Sequence, residues 1–374
     1  MPLTVVRARP GEAADAVRRA WDRSEAVLVV DPEAPADEVA RLHGAVRPDT
    51  DAAPEVAAVV VTSGTTGEPR GVELTWSGLV AMAEAVTTAL EAEATSDRWL
   101  CCLPLQHVGG LAVVARSWVS GVPVEVLDRF EPGAVLAAAA EDRAGRRSTL
   151  VSLVPTMLRR LLQSGADLRP FRRILVGGGP LLDVLPPQAT ATYGMTETWG
   201  GIVHGGRPLA GTEVRLAAAG EVLLRGPTVM RCYRGAPERT AEALDADGWL
   251  HTGDVGQLDA EGRLVVVDRL KDLIITGGVN VSPTEVERVL AEHPGVAEVC
   301  VTGAPDPVWG ERVVAHVVPA DASSPPDVDS LRAFAAGRLS AAKRPRQVVI
   351  VDEIPRTASG KPVRRRMATP STPS

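Results

Sequence analysis

The sequence predicts an α/β protein in two parts: a large layered N-terminal domain with a β-rich subdomain, and a small α+β C-terminal domain. Three observations predict it. Short β-branched runs alternate with helical stretches over the first two hundred residues, the pattern of a layered α/β domain. Near residue 210 the segments shorten and Gly and Asp turns separate them. After Arg269 a new alternation starts, which places the domain boundary at Leu270-Lys271 and gives domains of residues 1–269 and 270–374.

In chain order, a strand, a helix over Ala13–Trp21, a strand over Ala26–Val30 and a helix over Pro35–Leu42 fill the first fifty residues. Val56-Ala57-Ala58-Val59-Val60-Val61 is apolar and rich in β-branched residues, so it reads as a buried strand running into a Ser/Thr/Gly loop. A helix over Trp76–Ala92, a strand over Trp99–Leu103, a helix over Leu111–Ser120, and strands at Pro123–Leu127 and Ile174–Val176 continue the alternation. Glu213–Leu216, Glu221–Arg225 and Arg263–Val267 read as the short strands of the β-rich subdomain. In the C-terminal part, strands near Ala297–Val301 and Val313–Val318 precede a Pro/Ser/Asp-rich loop (Asp321–Asp329) and a helix over Leu331–Leu339. No internal repeat is present, and residues 369–374 are expected to be disordered.

The formal net charge of −7 argues against a nucleic-acid binder. The one dense basic run, Arg364-Arg365-Arg366, reads as a solvated tail. Cys101, Cys102, Cys232 and Cys300 show no metal-ligand spacing and read as reduced thiols of a cytoplasmic protein. The N-terminus lacks the charged start and apolar stretch of a signal peptide, and no run is long enough to span a bilayer, so a soluble intracellular protein is expected. Of the 40 basic residues only Lys271, Lys343 and Lys361 are lysines, which makes each lysine worth a reason.

The strongest local signal is Thr62-Ser63-Gly64-Thr65-Thr66-Gly67-Glu68-Pro69-Arg70-Gly71-Val72, directly after the buried strand. Glycines let backbone N–H groups close around phosphate oxygens, and the hydroxyls add neutral donors. The Gly-Lys-Ser/Thr ending of a Walker loop is missing. Further along stand Gly177-Gly178-Gly179-Pro180, Tyr193-Gly194-Met195-Thr196-Glu197-Thr198, Gly248-Trp249-Leu250-His251-Thr252-Gly253-Asp254, Arg269-Leu270-Lys271-Asp272, Gly277-Gly278-Val279-Asn280 and Pro355-Arg356-Thr357-Ala358-Ser359-Gly360-Lys361.

In this order and over about four-fifths of the chain, these blocks resemble the adenylate-forming superfamily of acyl-CoA synthetases, luciferases and peptide-synthetase adenylation domains. The resemblance implies an AMP-forming acid–thiol ligase that uses ATP, Mg²⁺ and coenzyme A. It implies that Thr62, Ser63, Gly64, Thr65, Thr66 and Gly67 hold the phosphates, that Gly178 and Gly179 lie along adenine and acyl group, and that Tyr193, with Gly194 and Met195, lies on adenine. Thr196 would contact the α-phosphate and Glu197 would hold Mg²⁺. A carboxylate attacking a phosphate meets like-charge repulsion, which a metal and hydroxyl donors relieve. Asp254 and Arg269 would take the ribose, Lys271 would be the pivot of the C-terminal domain, Gly277 and Gly278 would line the coenzyme A arm, and Lys361 would bridge carboxylate and α-phosphate. Arg70 stands where the family has lysine; arginine also meets phosphate.

Cys102-Leu103-Pro104-Leu105-Gln106-His107-Val108-Gly109-Gly110 matches the block that closes the acyl pocket, with His107 as a gate beside the reacting carboxylate. The aspartate that amino-acid-activating relatives carry here is missing, which disfavours an α-amino acid. Arg116, nine residues after His107, makes the block similar to that of the o-succinylbenzoate–CoA ligases of menaquinone biosynthesis, where an arginine at this offset helps to hold a dicarboxylic acid. The short stretch before the nucleotide loop points the same way. Three other readings stay open: another aryl- or acyl-CoA ligase, an adenylation enzyme that loads a carrier protein, and a nucleotide-binding protein without catalysis. The expected partners are a small carboxylic acid, ATP and coenzyme A, with a homodimer left open.

Overall fold

The computed structural model describes residues 1–63, 69–140, 147–179, 184–218, 220–356 and 363–367. The chain forms two compact units, residues 1–215 with 223–251, and residues 216–222 with 252–374. The pivot read at Lys271 lies inside the second unit.

The first unit is built on two sheets. In the five-stranded sheet, Leu3–Val6, Ala26–Val29 and Val56–Ser63 run parallel, and Pro69–Thr75 and Cys232–Tyr233 add antiparallel strands. Val56 to Val60 are almost fully buried, so a β-branched apolar run has become a central strand. Pro69–Val72, read from sequence as part of the phosphate loop, instead begins a strand, because Val72 and Leu74 pack inward and Thr62 pairs with Arg70 in register. The loop proper therefore joins two antiparallel strands.

The seven-stranded sheet runs in the order Arg207–Pro208, Gly200–His204, Ala189–Met195, Arg173–Val176, Leu150–Leu153, Trp99–Cys101, Val124–Val126. The five strands from Ala189–Met195 to Val124–Val126 are parallel. The helices Trp76–Leu90 and Val108–Ser120 pack on each other, and one core cluster gathers Leu100, Val151, Leu158, Phe171 and Ile174. Strand Leu150–Leu153 and the flanking helices Pro132–Ala140 and Pro155–Gln163 add to the elements read from sequence. A third, four-stranded sheet is ordered Glu213–Leu216, Glu221–Arg225, Leu250–Leu258, Leu264–Arg269.

In the second unit, Val296–Asp306 and Gly310–Pro319 form a long antiparallel pair, joined by Ile274–Thr276, Val279–Val281 and Gln347–Ile350. Helix Pro283–Leu290 is capped twice: Ser282 accepts from the Glu285 amide, and Asp268 accepts from Ser282 Oγ and the Thr284 amide.

Two expectations are corrected here. The helix expected at Leu331–Leu339 spans Val328–Phe334; Asp327 caps its start, and the chain turns out of it before Gly337, which has φ +85°. Arg364 is no solvated tail. Its side chain is 21% exposed, and Nη2 lies 2.8 Å from Glu287 and 3.3 Å from Thr284 Oγ1. Burial raises the pKa of Glu287, and Arg364 supplies the charge that such a carboxylate needs. Arg366 is exposed. The segment expected to be disordered, 369–374, lies outside the described residues.

The cysteines are free; Cys101, Cys102 and Cys300 are buried and Cys232 is half-buried. No helix among the described residues is long and apolar enough to cross a membrane.

Candidate active site

The first unit holds the segments read from sequence as phosphate loop, acid block and adenine motif. Thr62 and Ser63 end the strand Val56–Ser63, pairing with Arg70 and Pro69; Gly64, Thr65, Thr66 and Gly67 lie outside the described residues, as does Lys361. Gly178 follows strand Arg173–Val176 with φ +80°, and Gly179 comes next in the turn.

Tyr193, Gly194 and Met195 end strand Ala189–Met195, and Thr196-Glu197-Thr198 forms a 3₁₀ turn. Gly194 must be glycine, because a Cβ there would run into the Gly200 carbonyl across the hairpin. Thr198 Oγ1 accepts from the Met195 amide at 3.0 Å and lies within 3.1 Å of the Met195 and Gly200 carbonyls, so the turn is pinned at both ends. Trp199 follows with φ +56°, fully buried, and its indole donates to the Thr75 carbonyl at 3.2 Å. A non-glycine residue in this backbone region is strained, and the buried ring and its hydrogen bond hold it there.

The half-exposed Glu197 carboxylate accepts from the Tyr233 hydroxyl at 2.8 Å. Tyr233 was not singled out from sequence, although the chain has only two tyrosines, Tyr193 and Tyr233. The Arg70 guanidinium lies 5.6 Å from the centre of the same ring. Among the described residues no three His, Cys, Asp or Glu side chains gather into a metal cage. A single half-exposed carboxylate fits Mg²⁺, which commonly takes one or two carboxylates plus substrate phosphates. Such an ion would be held by Glu197, and its chemistry is charge neutralisation at the phosphates.

His107 caps the start of helix Val108–Ser120, its carbonyl accepting from Gly110 and Leu111. Burial lowers its pKa against the opposing pull of Asp31, so the imidazole is neutral at pH 7.

About two and a half turns along that helix, Arg116 is 5% exposed. Its guanidinium stacks 4.3 Å from the Trp99 ring centre, Nε donates to the Ala112 carbonyl at 2.9 Å, and Nη2 donates to Ser152 Oγ at 3.3 Å. No carboxylate among the described residues pairs with it. Burial pushes its pKa down to about 10, so it stays charged at neutral pH. Its field is felt by His204, whose pKa is held at about 4 by burial first and by Arg116 second, against a hydrogen bond to the Gly201 carbonyl. Ser152 and His204 were also missed from sequence; they come from separate strands of the sheet, and no local pattern marks them.

The second unit carries the remaining residues. Asp254 and Arg269 face each other in register on strands Leu250–Leu258 and Leu264–Arg269, and Arg269 Nε lies 2.7 Å from Asp254 Oδ1. Asp254 is 5% exposed; its turn is held by Glu221, which accepts from the Gly253 amide, and by Thr252 Oγ1, which accepts from the Asp254 amide. Lys271 is exposed in a 3₁₀ turn. Gly277 and Gly278, at φ +57° and +77°, make the two-residue turn between Ile274–Thr276 and Val279–Val281, as primed hairpin turns demand. Lys343, without a role in the motifs, pairs with Glu285 at 2.7 Å.

Residues 4–234 match the model of the AMP-binding enzyme family, and residues 285–361 that of the AMP-binding enzyme C-terminal domain. The chain is 38% identical over 338 residues to a 2-succinylbenzoate–CoA ligase of Listeria monocytogenes, covering 83% of this chain and 69% of that one. It is 39% identical over 342 residues to a feruloyl-CoA synthase of an Amycolatopsis species, covering 82% and 68%. Among solved structures, the o-succinylbenzoate coenzyme A synthetase of Bacillus subtilis with ATP and magnesium ion superposes with a TM-score of 0.80 at 29% identity, covering 98% of this chain and 88% of that one. The same enzyme with its acyl-adenylate intermediate gives 0.76 at 30% identity, covering 98% and 83%. With one family model matched over residues 4–234 and the other over residues 285–361, the chain belongs to the AMP-binding enzyme family.

Proposed function

We propose that the chain is a cytoplasmic AMP-forming acid–CoA ligase whose acid is 2-succinylbenzoate, converting it with ATP and coenzyme A to 2-succinylbenzoyl-CoA, AMP and diphosphate. The observation that carries the choice of acid is Arg116. A buried guanidinium without a carboxylate partner leaves charge for a ligand, and 2-succinylbenzoate brings a second carboxylate beyond the one that reacts. The likeness to the Listeria and Bacillus enzymes supports the same acid. The likeness to a feruloyl-CoA synthase favours the alternative, ferulate, whose single carboxylate would leave Arg116 unpaired.

In the reaction, the loop from Thr62 to Gly67 takes the phosphates and Glu197 holds the metal. The free carboxylate attacks the α-phosphate, a P–O bond forms, and diphosphate leaves while Lys361 balances the charge. Neutral His107 closes the acyl pocket. The domain from residue 270 then turns about Lys271, withdrawing Lys361 and presenting the Gly277–Gly278 turn to the thiol. The thiolate attacks the acyl carbonyl and AMP leaves. Asp254 and Arg269 keep the ribose in both half-reactions.

AMP release with ATP, Mg²⁺ and coenzyme A, measured for 2-succinylbenzoate, ferulate, benzoate and a medium-chain fatty acid, tests the proposal. Strong turnover is expected with 2-succinylbenzoate alone. Turnover with ferulate instead would replace the acid and keep the chemistry; no turnover with any acid would turn the search to a carrier-protein acceptor.

A further inference from the structure

Tyr233 lies outside every motif singled out from the sequence, yet it touches two of them. It sits on the edge strand Cys232–Tyr233, opposite Val72. Residues two apart on a strand share a face, so Arg70 lies diagonally across from Tyr233 on the same side, which accounts for the guanidinium over its ring. The hydroxyl donates to Glu197 Oε1 at 2.8 Å. The Met230 amide, three residues earlier, donates to the Glu197 carbonyl at 2.7 Å. One short segment therefore holds Glu197 by its backbone and by its side chain. Tyr233 is 8% exposed, so its hydroxyl is largely withdrawn from solvent.

We propose that Tyr233 is the positioning residue of the metal–nucleotide site: its hydroxyl fixes one oxygen of Glu197 so that the other faces the ion, and its ring seats Arg70 at the end of the phosphate loop. The inference rests on the reading of Glu197 as the Mg²⁺ carboxylate. An ionised carboxylate at the surface of a short turn samples several rotamers, and a charge-assisted hydrogen bond to a buried donor selects one of them. The ring contact couples that choice to Arg70, the position at which this chain departs from the family lysine.

The test is Mn²⁺ binding, followed by the electron paramagnetic resonance of free Mn²⁺ in the presence of a non-hydrolysable ATP analogue. Tyr233→Phe keeps the ring over which Arg70 lies and removes the donor; Mn²⁺ affinity should fall about tenfold, with the thermal midpoint close to that of the native chain. Glu197→Gln should weaken Mn²⁺ more. In the double variant Tyr233→Phe should add nothing, because it acts through the carboxylate. Unchanged Mn²⁺ affinity in Tyr233→Phe, or the same loss in both backgrounds, would overturn the role of Tyr233. Native Mn²⁺ affinity in Glu197→Gln would instead overturn the assignment of Glu197 itself.

Discussion

Arg116 is buried and the side chain of Arg234 is only 9% exposed, both in the first unit, and they are treated in opposite ways. Arg234 meets Glu73 at 2.7 Å, the Val46 carbonyl at 2.6 Å and both the carbonyl and the hydroxyl of Thr50. Each of its three nitrogens is engaged. Arg116 has one carbonyl, one long hydrogen bond to a hydroxyl, and an aromatic face; its Nη1 makes no hydrogen bond among the described residues. Burying a cation is costly, and the cost is offset only by partners of opposite charge and full hydrogen bonding. Arg234 has both and ties the loop after helix Ala36–Val46 to the sheet. Arg116 has neither in full, so its charge is available to a ligand. Burial alone does not separate a structural arginine from a binding one; the inventory of partners does.

The largest expected effect breaks the comparison on the structural side. Arg234→Met leaves Glu73 with the more exposed Arg231 and the Cys232 thiol, and should cost about 3–5 kcal/mol in urea unfolding. Arg116→Met, which removes an incompletely paired charge, should change stability by less than about 1 kcal/mol. Equal destabilisation by the two would erase the distinction. Next comes activity: Arg116→Met should lower kcat/KM for 2-succinylbenzoate about a hundredfold, roughly 2.7 kcal/mol, while any turnover of ferulate stays unchanged. Ser152→Ala takes away one donor's partner and should raise KM about fivefold with kcat preserved.

The smallest effect is one of pH. His204 has its pKa depressed from 6.5 to about 4, so it is neutral in the fold while the unfolded chain binds a proton below pH 6.5. Its contribution to stability is therefore present above pH 6.5 and is lost as the pH falls towards 4. Removing Arg116 takes away the second cause of the shift, so urea midpoints of Arg116→Met between pH 4 and 6.5 should fall less steeply than those of the native chain.

The residues that sequence made legible are those whose role is written locally. Val56–Val61 announced a buried strand by its β-branched run, and Glu197 and Asp254 stood inside contiguous motifs. Ser152, His204 and Tyr233 were invisible for the converse reason: each matters through a side chain brought from another strand. Strand Pro69–Thr75 was hidden because the glycine-rich run before it drew its first residues into the loop. Arg364 misled because three adjacent arginines look like a solvated run, whereas Glu287, 77 residues earlier, takes the first of them inward. The scarcity of tyrosine was the one compositional clue to Tyr233.

Trp199 bears on how the protein is made. Its hydrogen bond to Thr75 closes a span of 124 residues, and the ring rests against Gly78, where a side chain would clash. A contact of such separation pays its loop-closure entropy before it gains anything, so it forms late. At synthesis rates of 5–20 residues per second, about 6–25 s pass between the appearance of the two partners. For that interval the nascent chain carries its phosphate loop without the turn that bears Glu197. The turn that carries Glu197 is therefore completed only after residue 199 has been synthesised.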